Sequence, residues 1–476
     1  MKKLVVSFDR SEPFVIKAFR AFSVIAAIIC IIMAVFSNIE YSLWLLPLTY
    51  ASGIFLLGNK NLIRFTPGVI ALNMVMFIRY IILPLTMYMD GNPTSKYSPY
   101  DGYMREAIIV MWIELIAILV SLFFTGLHYE NRYRTIAADN QSIEFNQMKF
   151  GDIICVAGIG LCVILAIRNP HLVGGMELLT QGYLSNEADV SSVSGVVVIL
   201  WKAWTTWIGI YFIYFLKQKK LKGAWLTFCL LLGIMLIVLI SFIGQTTISR
   251  WYSVVTFCAV YFCVIKMFPE KKAYITRLTM IPAIVLLFIV TIYKNTSYLG
   301  TGNGMLQYIR EIFDISTLNA YFAGPFNVNN AIHMKETHSL GFLSLFYDLL
   351  RNFPIVNHYI DVSRSTVGVY ASYLGRGDQI LPIVGQSMIY FGYLFTPLLS
   401  IISVVLVRFF DYKYLKSTSI DIYIYAFAAC WIGLATILNF TVCVSWFYGT
   451  IIPAFLLIKL TEMTGVYRLK NKISEE

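Results

Sequence analysis

The sequence predicts an all-α polytopic membrane bundle of about twelve transmembrane helices, on three observations. Of 476 residues, 58% are hydrophobic and only 13% charged, against about 25% charged in an ordinary soluble domain. The apolar residues fall into runs near the roughly 20-residue length that a hydrocarbon core about 30 Å thick demands of a helix. The basic residues between those runs gather in alternate loops. No soluble core could hide so much apolar surface, so soluble enzymes, disordered chains and fibres are excluded together.

The apolar runs cover residues 17–36, 41–58, 66–88, 106–127, 151–168, 194–216, 224–242, 251–266, 278–293, 381–408, 420–440 and 447–465. The first follows Lys2, Lys3, Arg10, Lys17 and Arg20 and lacks a small-residue cleavage site, so it reads as a retained signal anchor. With that tail inside, every second loop is inside as well. Those loops carry Lys60 and Arg64; Arg132, Arg134 and Lys149; Lys217, Lys219, Lys220 and Lys222; Lys266, Lys271, Lys272 and Arg277; and Arg408, Lys413 and Lys416. Arg468, Lys470 and Lys472 add a basic end, bringing the inner side to 24 of 37 Lys and Arg and predicting both termini in the cytoplasm. The net charge of +11 is thereby explained by topology, and nucleic acid is not expected as a partner. Eight cysteines fall in or beside apolar runs with no CxxC spacing, which reads as small buried hydrophobes.

The runs are unevenly spaced. Residues 1–293 read as a bundle of nine spans, 294–380 as one large exterior segment, and 381–476 as three further spans with a cytoplasmic tail. A structureless loop as long as 294–380 is improbable, and long loops carry function. Apolar periodicity predicts helices in it near 304–322 and 340–352, after a flexible Gly300-Thr-Gly-Asn-Gly304 turn.

Ionisable residues inside spans are functional candidates by default, because lipid penalises them. Arg79 in the third run and Glu114 in the fourth both fall about 12–14 Å below the outer surface at 1.5 Å per residue. Consecutive antiparallel helices would bring them together as an ion pair. Lys202 in the sixth run has a similar depth, and the three charges suggest a polar cavity opening outward. Lys459 and Glu462 share one helix face near an inner end and read as snorkelling. The long segment mixes Arg310, Arg351, Arg364 and Arg376 with Asp348, Asp361 and Asp378, with His333, His338 and His358, and with aromatics including Tyr321, Tyr359, Tyr370 and Tyr373. Arginine forks suit phosphate oxygens and aromatic faces suit sugar rings. The histidine spacing matches no metal motif, so no metal or cofactor is expected.

Three stretches resemble one family. Gly244-Gln-Thr-Thr-Ile-Ser-Arg250 opens the eighth run with an arginine, Tyr321-Phe-Ala-Gly-Pro-Phe326 lies in the long segment, and Leu381-Pro-Ile-Val-Gly-Gln-Ser-Met-Ile-Tyr-Phe-Gly-Tyr393 opens the tenth run. With the late large exterior loop, these resemble the bacterial oligosaccharide repeat-unit polymerases (Wzy-like), the group that builds O-antigen and capsular polysaccharide. The resemblance covers most of the chain as architecture and short patches as sequence. Arg364 and Gly375 match the Arg-to-Gly spacing of some members, but the second copy expected in a medium loop is absent.

The resemblance implies a fold like the membrane glycosyltransferases that use lipid-linked donors, placed in the bacterial cytoplasmic membrane. It implies transfer of a growing glycan from undecaprenyl diphosphate to an incoming lipid-linked repeat unit on the outer face. Expected partners are that lipid-linked oligosaccharide and membrane lipids, with a chain-length regulator and a flippase in the same system. The leaving diphosphate needs positive charge, for which Arg250, Arg364 and Arg376 are candidates, with Arg351 and Arg79 behind them. The acceptor hydroxyl benefits from a base, and Glu114, Asp378 and His338 are the unranked candidates. An O-antigen-type ligase and a transporter or flippase for lipid-linked sugars are the alternatives. Against transport, the halves show no repeat.

Overall fold

The computed structural model describes residues 14–37, 42–57, 66–91, 95, 97, 98, 100–138, 151–173, 195–218, 223–243, 250–279, 314–353, 356, 359–375, 380–417 and 420–461. Every regular element among them is helical. Seven helices are long and apolar enough to cross a bilayer: Phe19–Phe36, Pro67–Asp90, Met104–Glu130, Gly151–Arg168, Gly195–Lys217, Tyr393–Lys416 and Phe440–Thr461. A bent pair, Trp251–Met267 with Pro269–Thr279, makes an eighth if counted as one span. The chain is therefore a polytopic all-α membrane protein.

Twelve spans are not reproduced among the described residues. Runs 41–58 and 420–440 hold helices of only 13 and 12 residues, Leu45–Leu57 and Ile422–Gly433. At 1.5 Å per residue these reach about 20 Å and cannot cross alone. Run 278–293 lies almost wholly outside the described residues, as does much of the predicted helix 304–322. The run 381–408 is two elements. Ile383–Phe391 ends at Gly392, whose φ of 80° an L side chain resists, and the long span starts beyond it. Hydropathy sees no break there because both sides are apolar.

The residues form two compact units whose segments alternate along the chain. The first is Met1–Asn140, Arg310–Tyr412 and Ala429–Ser445; the second is Gln141–Ile309, Lys413–Ala428 and Trp446–Glu476.

In the first unit, the span Pro67–Asp90 is not uniform. Pro84 has no N–H to offer a carbonyl one turn back, and the ladder widens into a π turn at Ile78–Ile82, where the Leu83 N–H reaches Ile78 O. Asp411, fully buried, caps the start of this span by accepting from Thr66 Oγ1 at 2.7 Å, Gly68 N at 2.9 Å and Val69 N at 3.0 Å.

Part of the long segment does not behave as a loop. Helices Ile315–Tyr321 and Pro325–Thr337 form a hairpin whose tip, Ala323, is the one non-glycine residue with positive φ (48°) among the described residues. The Ala323 carbonyl accepts from Arg79 Nε at 3.1 Å. Arg79 is twelve residues from Pro67 and eleven from Asp90, about 16–18 Å from either end of its span. Further along, Asn329 Oδ1 accepts from the Tyr103 N–H at 2.9 Å, at the start of helix Met104–Ala138. The hairpin therefore descends from the end of one span to the middle of another. Irregular backbone at such depth is tolerated only where protein or a water-filled cavity surrounds it. Here Ala323, Gly324's neighbour Pro325, and nearly every residue from Phe326 to Met334 are buried.

Gly324 fits this tip because a Cβ there would lie 2.1 Å from Asn319 Oδ1 and 2.9 Å from Leu83 Cδ1. Asn319 cannot swing away freely, since it is buried and bonds Ile315 O through Nδ2 at 3.0 Å. Gly324→Ala is expected to cost about 1–3 kcal/mol by overpacking. A lower melting temperature in detergent checks it; an unchanged melt would mean the tip is looser than its packing.

Candidate functional site

Two polar constellations lie in the first unit. The first centres on Arg79 and Glu114, joined at 2.9 Å with both side chains at 0% exposure. The expected pair is present, and its surroundings go beyond it. Glu114 Oε2 also accepts from Tyr80 OH at 3.0 Å, and Oε1 from Ser400 Oγ at 2.7 Å. Arg79 spends Nε on Ala323 O, and its Nη2 is buried without a hydrogen-bond partner among the described residues. One carboxylate thus gathers three elements: the π turn, the long helix Met104–Ala138 and the span after Gly392. The pair is sealed. A cavity of about 490 Å³ is walled by Leu48, Trp112, Ile116, Phe123 and other largely apolar groups and touches neither charge.

The second constellation centres on Asp348, a fully buried carboxylate on helix Phe342–Leu350. Its Oδ1 accepts from Ser365 Oγ at 2.6 Å, and its Oδ2 from Thr366 N at 3.2 Å, Thr366 Oγ1 at 2.5 Å and Tyr390 OH at 2.5 Å. Gln386 extends the network, donating to Thr366 Oγ1 at 2.9 Å and Tyr390 OH at 3.0 Å and accepting from the Phe440 N–H. Burial, followed by the neighbouring Asp348 charge, pushes the Tyr390 phenol well above its ordinary value, so it stays a donor. Ser365 doubles as the cap of helix Thr366–Leu374.

Two of the candidate arginines project from this framework. Arg351, half-buried at the end of helix Phe342–Leu350, donates to Ser365 Oγ at 3.2 Å. Arg364 is exposed, donates to Tyr347 OH at 2.8 Å and lies 3.6 Å from Asp361. The Tyr347 contact raises the Arg364 guanidinium's affinity for its proton, while hydrogen bonds from Ser363 and the nearby arginine hold the Asp361 carboxyl below its usual value. Both groups are fixed as charges. His338 is exposed, with Nδ1 2.9 Å from Thr337 Oγ1. His333, inside helix Pro325–Thr337, which ends just before His338, stacks on Tyr100 at 4.5 Å and shares a 2.5 Å hydrogen bond with Tyr373 OH.

The other candidates are dispersed. Arg376 and Asp378 lie outside the described residues. Arg250 opens helix Arg250–Met267 in the second unit. Lys202 also belongs to the second unit. Lys459 bonds Asp421 at 3.1 Å there, across helices, while Glu462 lies outside the described residues. Sequence reasoning missed Asp348 as a centre and missed Tyr80, Ser400, Tyr390 and Gln386 altogether. Neutral hydroxyls and amides in apolar runs carry no signal until a distant carboxylate claims them. No group of three or more His, Cys, Asp or Glu among the described residues could hold a metal ion. No protein-family model, no curated protein and no solved structure matches the chain.

Proposed function

We propose that this protein polymerises undecaprenyl-diphosphate-linked oligosaccharide repeat units into a surface polysaccharide on the outer face of a bacterial cytoplasmic membrane. The observation that carries the reading is the Asp348 network. It ties helices Phe342–Leu350, Thr366–Leu374 and Ile383–Phe391 into one body, from which Arg351 and Arg364 project beside aromatic side chains. A diphosphate leaving group needs cations held in place before charge develops, and a rigid platform supplies them without reorganisation.

In this mechanism a base takes the acceptor hydroxyl's proton as its oxygen attacks the anomeric carbon of the donor glycan. The anomeric C–O bond to phosphate breaks, and undecaprenyl diphosphate leaves with the electron pair, its charge held by Arg351 and Arg364. His338, exposed and with no hydrogen bond to its second ring nitrogen among the described residues, suits the base better than Glu114, whose oxygens are both occupied inside the membrane. Arg79 and Glu114 then act as a structural tie between the hairpin and the spans.

The test is mass spectrometry of lipid-linked glycans in a deletion strain. Single repeat units accumulating on undecaprenyl diphosphate support the reading. Long lipid-linked chains that never reach their anchor indicate a ligase, units trapped on the inner leaflet indicate a flippase, and an unchanged profile rejects glycan chemistry. Complementing with Arg351→Ala or Arg364→Ala is expected to lower polymer about 100-fold at normal membrane abundance. Wild-type chains in both variants would remove these arginines from the site.

A further inference from the structure

Helix Phe342–Leu350 is inside out by the standard of a segment surrounded by water. Phe342, Leu343, Phe346 and Leu350 share one side of it, because positions i, i+1, i+4 and i+8 fall on one helical face. All four are exposed, between 40% and 71%. The opposite side carries Ser344 and Asp348, and both are buried. In water the hydrophobic effect would favour the reverse orientation. The helix is held this way round because Ser365, Thr366 and Tyr390 grip Asp348. An outward face made of Phe and Leu needs an apolar neighbour.

The level of the helix identifies that neighbour. The Phe342 ring lies 6.1 Å from the ring of Phe391, and Phe391 comes two residues before the span Tyr393–Lys416. Tyr393, the first residue of the span, donates to Glu336 Oε1 at 2.7 Å and has Lys335 Nζ 3.5 Å from its ring centroid. A tyrosine in charged company is typical of the level where hydrocarbon meets headgroups. The next two residues, Leu394 and Phe395, are exposed and apolar. The edge of the bilayer therefore passes beside Phe342. The span ends on Lys413 and Lys416, so by the charge rule its start is the outer edge. The rim of the helix agrees. Tyr347, next to Leu343 around the helix, is half-buried and accepts from the exposed Arg364, whose guanidinium lies 5.7 Å from the Tyr347 ring centroid. A tyrosine and a cation flanking an apolar face match a headgroup layer, which attracts cations and admits amphipathic rings.

We propose that helix Phe342–Leu350 lies along the membrane surface with Phe342, Leu343, Phe346 and Leu350 inserted among the phospholipid acyl chains of the outer leaflet. Faces of this kind sink about 5–10 Å into the boundary between headgroups and chains. The Asp348 network then moors helices Thr366–Leu374 and Ile383–Phe391 to the leaflet through this helix, and Arg364 stands at headgroup height. The insertion does not depend on the polymerase reading, and its test reads no glycan.

The experiment replaces Leu343, Phe346 or Asp361, one at a time, with the photoreactive p-benzoylphenylalanine in the full chain. The protein is illuminated in phosphatidylcholine–phosphatidylglycerol nanodiscs, and adducts are counted by mass spectrometry. All three side chains are exposed, so the replacement disturbs little packing. Phospholipid adducts at the Leu343 and Phe346 positions are expected to exceed those at the charged Asp361 position about tenfold. Equal yields at the three positions overturn the proposal. So do adducts formed at the Leu343 and Phe346 positions mainly with a second copy of the chain or with another stretch of the same chain. Should the replacements keep the protein out of the discs, the wild type decides, with a phosphatidylcholine that carries a diazirine in the middle of its acyl chain. Labelled peptides covering 342–350 support insertion, and labelling confined to the spans overturns it.

Discussion

Glu114→Ala is expected to cost about 3–5 kcal/mol and to deplete the protein from the membrane, because it leaves Arg79 charged and fully enclosed. The loss also strips the acceptor from Tyr80 and Ser400 and slackens the grip of Arg79 on Ala323 O. Replacing both charges, as Arg79→Met with Glu114→Leu, is expected to restore much of that stability, since the uncompensated charge disappears. Melting temperature and membrane abundance of the two single variants and the double variant measure the coupling. Additive losses would show that the two side chains do not act as a pair.

Asp348→Ala is the second large effect. It leaves Ser365 Oγ, Thr366 Oγ1, the Thr366 N–H and Tyr390 OH without their acceptor inside the protein. Each orphaned buried group costs about 1–3 kcal/mol, so a loss of about 3 kcal/mol or more is expected even after some donors re-pair. Asp348→Asn should fall between, keeping one acceptor oxygen and turning an NH₂ toward hydroxyl donors. Asp361→Ala, thirteen residues on and exposed, is the comparison and should stay within about 0.5 kcal/mol. Limited proteolysis between Arg351 and Arg364 reports the difference. Cleavage of Asp348→Ala at the wild-type rate would mean the network does not hold the segment together.

The Arg79–Glu114 pair was legible because two consecutive antiparallel runs put two isolated charges at equal depth. The third and fourth partners were not legible, since Ser400 and Tyr80 look like ordinary residues of apolar helices. The hairpin at Ala323 was hidden for the opposite reason. Helix Pro325–Thr337 carries Asn327, Asn329 and Asn330, all buried, and a polar helix is assigned to solvent by any hydropathy argument. Its burial depends on acceptors and donors supplied by residues over 200 positions away, such as Tyr100, Tyr103 and Arg79. Asp348 was visible only as one of several acids in a mixed-charge segment. What singles it out is the number of hydroxyls converging on it, and convergence from positions 365, 366 and 390 is a property of the fold.

The π turn at Ile78–Ile82 has an evolutionary consequence. A π turn closes its hydrogen bond over one residue more than an α turn does. Because each α-helical residue advances about 100° around the axis, excising one residue there would rotate Arg79 relative to the half of the span that begins at Leu83. The guanidinium would be carried off Glu114, although composition and hydropathy would hardly change. A second turn of the same kind, Phe447–Ile451, follows Trp446 in the other unit. Length changes that a lipid-facing helix tolerates would at these two places be filtered out, and their spacing should drift more slowly among descendants than the apolar residues around them.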